Sequence, residues 1–200
     1  MRGNAHPMSG WLLLFIIGAS VPRLYQKDSQ ISGYQTFASP DGDSQFTYPG
    51  SYALYTGSVC GPEPAIACVV FPESRYTGTN FAGASFAERE IDEATTKSTC
   101  LTSPMRAVNV PEFDIATKDP KRIINRVSFL HGISVSVGSG TAVTTDVYRA
   151  FHKGTCYELS LDLATTQFAY YPPGTVKEFT DEDRVRHELT TILDSFRFLK

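Results

Sequence analysis

Apolar and polar residues alternate with a period of two through much of this chain, the signature of strands with one buried face. The segment TDVYRAFHKGTCYELSLDL, residues 145–163, shows it most fully. Lys153-Gly154 reads as a two-residue hairpin turn, with glycine supplying the positive φ such a turn needs. Pairing His152 with Thr155 sets Ala150 opposite Tyr157, Tyr148 opposite Leu159 and Arg149 opposite Glu158. One face is then apolar and the other carries an ion pair. Phe151 and Cys156 also meet on that second face, so the pattern calls for a cover there, and a helix carrying Cys100 would supply it. RIINRVSFLHGISVSV, residues 122–137, predicts a second hairpin about Asn125-Arg126, without the usual glycine. QFTYPGSYALYTG reads as two short strands around Pro49-Gly50, and AIACVVF as a compact strand buried on both sides. NFAGASFAEREIDEA fits two readings, a helix through Phe81, Ala84, Glu88 and Ile91 or, from Gly83 and the alternation around Phe86, a strand followed by a short helix running through Cys100; the second is preferred. The glycine-rich VGSGTAV reads as a mobile link between hairpins; it lacks the lysine and following helix of a phosphate loop.

The period changes at the C-terminus. In TDEDRVRHELTTILDSFRFLK, residues 180–200, Val185, Leu189, Ile192, Leu193 and Phe196 form one helical stripe. Thr180 is the expected cap, and Asp181, Glu182 and Asp183 oppose the positive end of the helix dipole. The opposite face is not basic, so the stripe is expected to pack on the sheet rather than on a membrane.

The first twenty residues follow neither period. Arg2, an apolar run from Trp11 to Ile17, and small residues Gly18, Ala19 and Ser20 have the layout of a secretory signal peptide. The run is shorter than the ~20 residues a spanning helix needs. The expected organisation is a signal peptide at 1–20, a polar lead-in at 21–43 and one domain at 44–200. Export makes disulfides the natural state of Cys60, Cys68, Cys100 and Cys156, with Cys60–Cys68 and Cys100–Cys156 the expected pairing among three possible. No pair has zinc-ligand or thiol-exchange spacing.

Charge narrows the partners. The chain has 18 basic and 21 acidic residues, a net charge of −3, and no basic block. Nucleic acid is therefore not an expected partner, since phosphate contacts draw on clustered Lys and Arg. An envelope protein or a small ligand fits better, with no cofactor and no membrane span once the signal is cleaved.

The segments FTYPGSY, INRVSF, VYRAFHKGTCYEL and LDSFRF together resemble the PsbP-like αβα sandwich superfamily of exported proteins, over residues 45 to 72 and 122 to 200. The resemblance implies an α+β fold, an antiparallel sheet flanked by helices, and a non-catalytic binding or accessory role at the cell envelope. It carries over no site residues.

Candidate chemistry is sparse. GASFA lacks the final glycine of a nucleophile elbow. His131, in step with Phe129, Ile133 and Val135, reads as a hydrogen-bonded core histidine, and His187 as a surface ion-pair partner of Asp183. His131 or His152 beside a carboxylate would be the base of a small secreted hydrolase, the alternative class. Glu88, Glu90 and Asp92 of EREIDE would line one strand face with oxygen ligands for calcium, making a calcium-dependent surface protein a further alternative. Tyr170 and Tyr171 of AYYPPG are candidate binding residues on a stiff loop.

Overall fold

The computed structural model describes residues 33–60, 64–102, 114–115 and 120–199. The elements run β1 (Tyr34–Ala38), β2 (Ser44–Pro49), β3 (Ala53–Gly57), β4 (Ala65–Val70), β5 (Phe81–Glu90) and α1 (Lys97–Thr102). They continue through β6 (Asp114–Ile115), β7 (Lys121–Ile124), β8 (Val127–Gly138), β9 (Thr141–His152), β10 (Thr155–Thr166), α2 (Glu182–Ser195) and β11 (Arg197–Phe198). Eight strands form one sheet in the order β3-β4-β5-β10-β9-β8-β6, with β7 also paired to β8; β1-β2-β11 form a smaller sheet. All named strand pairs are antiparallel and the fold is α+β, with α2 and the small sheet on one face of the large sheet and α1 on the other.

The central hairpin has the register that the alternation dictates: His152 pairs with Thr155, Arg149 with Glu158 and Tyr148 with Leu159. Its turn has φ of 47° at Lys153 and 93° at Gly154. The β7–β8 turn makes the same bend without glycine, with φ of 45° at Asn125 and 72° at Arg126. Asn125 tolerates this left-handed region because its side chain is fixed there, its Nδ2 donating to the carbonyls of Asp194 at 3.0 Å and Phe196 at 2.6 Å. The turn thereby caps the C-terminal end of α2. VGSGTAV is not a link between hairpins but a turn within one: Gly138 pairs with Thr141 across Ser139-Gly140. Gly140 is favoured there twice over, by its φ of 79° and by the Tyr170 ring, which an added Cβ would strike.

The stripe of α2 packs as expected. Val185, Leu189, Ile192 and Leu193 are buried against Phe46, Phe86, Leu159 and Leu161 in a continuous core. Asp181, rather than Thr180, takes the N-cap position. The other end is clasped to β2 by Ser195, whose Oγ accepts from the Thr47 N–H at 2.8 Å.

One expectation about the N-terminal half is corrected. The lead-in is not wholly irregular: its last part forms β1, whose residues pair with β2 from Tyr34↔Pro49 to Ala38↔Gln45. Phe37 drives this by stacking on Phe46, ring centroids 5.1 Å apart. The segments flanking Pro49-Gly50 are strands, as expected, and they part company there, β2 joining the small sheet and β3 the large one. Residues 1–32, including the apolar leader, lie outside the described residues. Among the described residues no helix is long and apolar enough to cross a membrane.

On the far face of the large sheet, Ala94, Cys100 and Cys156 form a small core with Ile91, Leu101 and Phe151 against it. Helix α1 thus covers Phe151, and Cys100 is bonded to Cys156 with Cα atoms 5.4 Å apart. Cys68 is also disulfide-bonded, while the Cys60 side chain lies outside the described residues.

Candidate functional site

Both histidines proposed as bases sit on the α2 face of the large sheet, in different settings. His131 of β8 places Nε2 2.9 Å from Asp146 Oδ1 of β9, and its ring stacks on Tyr148 with centroids 4.5 Å apart. The other oxygen of Asp146 accepts from Arg186 of α2 at 2.7 Å, and Arg186 also donates to Glu182 at 2.8 Å. This chain of charges ties the helix to the sheet. Burial, followed by the charge of Asp146, raises the Tyr148 phenol pKa. His152 lies farther along β9, stacked on Phe198 at 4.0 Å, with Nε2 buried and unpartnered. Among the described residues neither ring is hydrogen-bonded to a serine, threonine or cysteine, so neither stands in a nucleophile–base pair. His187 is exposed, and no described ion pair joins it to Asp183.

The acidic segment EREIDE divides between environments. Glu88 is 0 % exposed on the α2 face of β5, between Ala67 of β4 and Leu159 of β10. Among the described residues neither of its carboxyl oxygens makes a well-formed hydrogen bond; the buried Ser44 hydroxyl, itself unpaired, lies beside it as a potential donor. Burial pushes the Glu88 carboxyl up to about 7; Ser44 lowers it, and the charges of Asp41 and Glu90 raise it. Glu90 ends the strand in the open, its pKa raised by burial and by Asp41, Asp92 and Asp43. Asp92 falls beyond β5. Among the described residues no group of three or more His, Cys, Asp and Glu side chains is placed to hold a metal ion. Glu88, Glu90 and Asp92, the residues of the calcium expectation, form no such group among the described residues: β5 turns Glu88 into the core, while Glu90 is exposed at its end and Asp92 follows it.

The opposite face of the same strands handles buried charge by pairing. Arg149, 2 % exposed, donates to Glu158 at 2.8 Å, and Arg89 donates to Ser160 at 3.0 Å. Asp162 accepts from Thr145 at 2.6 Å and from Ser85 at 3.3 Å; burial is the largest influence on it and raises its pKa.

At the far end of the β8–β9 hairpin, the α2 face is left uncovered. Ile133, Val135 and Val137 follow one another along one side of β8, the last two 57 % and 64 % exposed. Phe168 and Tyr170, the latter 63 % exposed, follow the end of β10. Tyr170 closes over Gly140 at the hairpin tip, whereas Tyr171 is half-buried. The only sequence signal for this strip is the uncharged alternation ISVSV, which also describes a strand with a buried face. A shallow cleft of ≈ 150 Å³ lies at the other end, lined by Glu90, Asp92, Thr95, Gly154 and Cys156 among others.

No protein-family model matches the sequence. No curated protein matches it either. Solved structures are similar to this chain over most of its length. One is LpqN of Mycobacterium tuberculosis, a protein involved in cell envelope biogenesis, with 12% identity, 84% of this chain and 91% of that chain covered, and a TM-score of 0.48. Another is the cyanobacterial PsbP protein of Synechocystis sp. PCC 6803, with 14% identity, 86% of this chain and 96% of that chain covered, and a TM-score of 0.47.

Proposed function

We propose that this chain is an exported binding or accessory protein of the cell envelope that acts through an apolar protein contact. The observation that carries the reading is the strip Ile133, Val135 and Val137, set in a row on the part of the sheet that α2 leaves open. Aligned apolar side chains left in water are the form of a contact surface. The state of the histidines supports it: His131 is engaged through Asp146 with α2, and His152 is stacked on Phe198. The leader and the disulfides support export.

A photo-crosslinking residue at Val137, in the full chain expressed in its native host, tests the contact, with exposed Ile123 on the other face of the sheet as the control position. The expected result is one defined partner captured from position 137, absent from position 123, and lost when Val135→Asp is added. Equal capture from both positions, or capture indifferent to Val135→Asp, would overturn the reading. A hydrolytic activity abolished by His131→Ala would replace it with the hydrolase. Intact mass of the native protein is expected to give a start near Val21, and an uncut chain would remove the export half.

A further inference from the structure

We infer that Glu88 operates a proton-sensitive joint: the corner from Ser39 to Gln45 is seated on the large sheet while Glu88 carries a proton, and loosens when it ionises. The geometry that requires this is a fully buried carboxyl with neither oxygen hydrogen-bonded, packed under the first residue of β2. A neutral acid is tolerated in such a place, whereas a carboxylate without donors is not.

The charges that act on an ionised Glu88 are those of acids, and the Ser44 hydroxyl is the group that eases it. Its own strand brings Glu90, with Asp92 just beyond; the β1–β2 turn brings Asp41 and Asp43. The β9–β10 turn brings Lys153, whose ammonium is 3.1 Å from Asp43. β10 contributes Tyr157, whose phenol is pushed up to about 12, chiefly by burial and then by Glu90, Asp43, Asp41 and Glu88. β9 contributes His152, stacked on Phe198 of β11, while β4 offers Ala67 and β2 the Ser44 hydroxyl. Arg197 alternates with Phe198 and pairs in register with Gln45, on the outer side. The unpartnered carboxyl therefore faces like charges and one hydroxyl. Burial holds its pKa near 7, so ordinary shifts in pH change its state.

The piece that can yield is the corner above it. Within itself it is closed by the Ser39 N–H bond to the Ser44 carbonyl at 3.0 Å, the Ser44 N–H bond to Ser39 Oγ at 2.9 Å and the end of the β1–β2 ladder at Ala38↔Gln45. Its ties to the rest of the molecule include the Leu199 N–H bond to the Asp43 carbonyl at 2.7 Å, the Arg197–Phe198 ladder on β2 and the exposed Lys153–Asp43 ion pair. Lifting it admits water to Glu88 without disturbing the β9–β10 ladder.

Hydrogen–deuterium exchange on the full chain, corrected for intrinsic rates, tests the joint. Between pH 5.5 and 8.5, protection at residues 39–45 and 197–199 is expected to fall about tenfold, with β9 and β10 unchanged. Glu88→Gln should abolish that response, and Glu90→Gln should keep it. A wild type that does not respond, or a Glu88→Gln protein that responds like the wild type, would overturn the proposal. If Glu88→Gln does not fold, the side-chain ¹³C titration of Glu88 in the wild type decides. A midpoint near neutrality supports the joint, and one below 5 refutes it.

Discussion

Glu88 and Glu158 lie one strand apart and one register position apart, Glu88 opposite Leu159 and Glu158 opposite Arg89, and the large sheet turns them to opposite faces. Both are buried, yet the sheet treats them differently. Glu158 receives Arg149 at 2.8 Å, so its charge is matched where it is desolvated. Glu88 receives no counter-charge, has only the Ser44 hydroxyl beside it, and is favoured as an acid instead. The pair shows two ways of burying a carboxyl: supply the counter-charge, or remove the charge. The first yields an interaction that persists across neutral pH; the second makes stability depend on pH.

The sharpest way to break the comparison is to remove the counter-charge. Arg149→Ala leaves Glu158 buried without its main partner and is expected to cost about 3–5 kcal/mol in urea unfolding. A loss below about 1 kcal/mol would mean that water reaches Glu158, and the contrast would fail. On the same face, replacing Cys100 and Cys156 together by alanine frees the cover over Phe151. The expected loss is about 2–4 kcal/mol, read as a lower urea midpoint.

On the other face the sign reverses. The Glu88 pKa is raised from 4.5 to about 7, so the folded state binds a proton that the unfolded state has released. The stability this contributes is fully present below pH 4.5 and is lost as pH rises through about 7. Glu88→Gln should therefore flatten the melting temperature across that window. At pH 8 it should raise stability by up to about 3 kcal/mol, provided the amide fits the same space. Equal pH slopes for mutant and wild type would erase the distinction between the faces. The smallest effect lies at the hinge between sheet and helix. Asn125→Ala removes both bonds to the α2 terminus and leaves alanine at positive φ, for an expected loss of about 1–2 kcal/mol in thermal unfolding.

The sequence determined by itself whatever depends on neighbouring residues and on period. The β9–β10 register follows from alternation and a Lys-Gly turn, and α2 follows from its stripe, because both signals are repeated over many positions. Cys156 beside Phe151 showed where a cover was needed, since an apolar pair on a polar face has to be shielded. The tertiary structure alone decided the rest. Alternation gives two faces but not which one meets water. EREIDE reads as a face of oxygen ligands until β2 is laid over Glu88, and ISVSV reads as half-buried until α2 stops short of it. β1 was hidden in a polar stretch because its one strong contact, Phe37 on Phe46, spans the β1–β2 turn. Its role came from pairing with β2, not from any pattern of its own. His131 and Asp146 are fifteen residues apart, and their meeting depends on the β8–β9 register together with an arginine from α2. Such groupings are long-range: each residue type is visible in the sequence, but what it faces is set only when the layers pack.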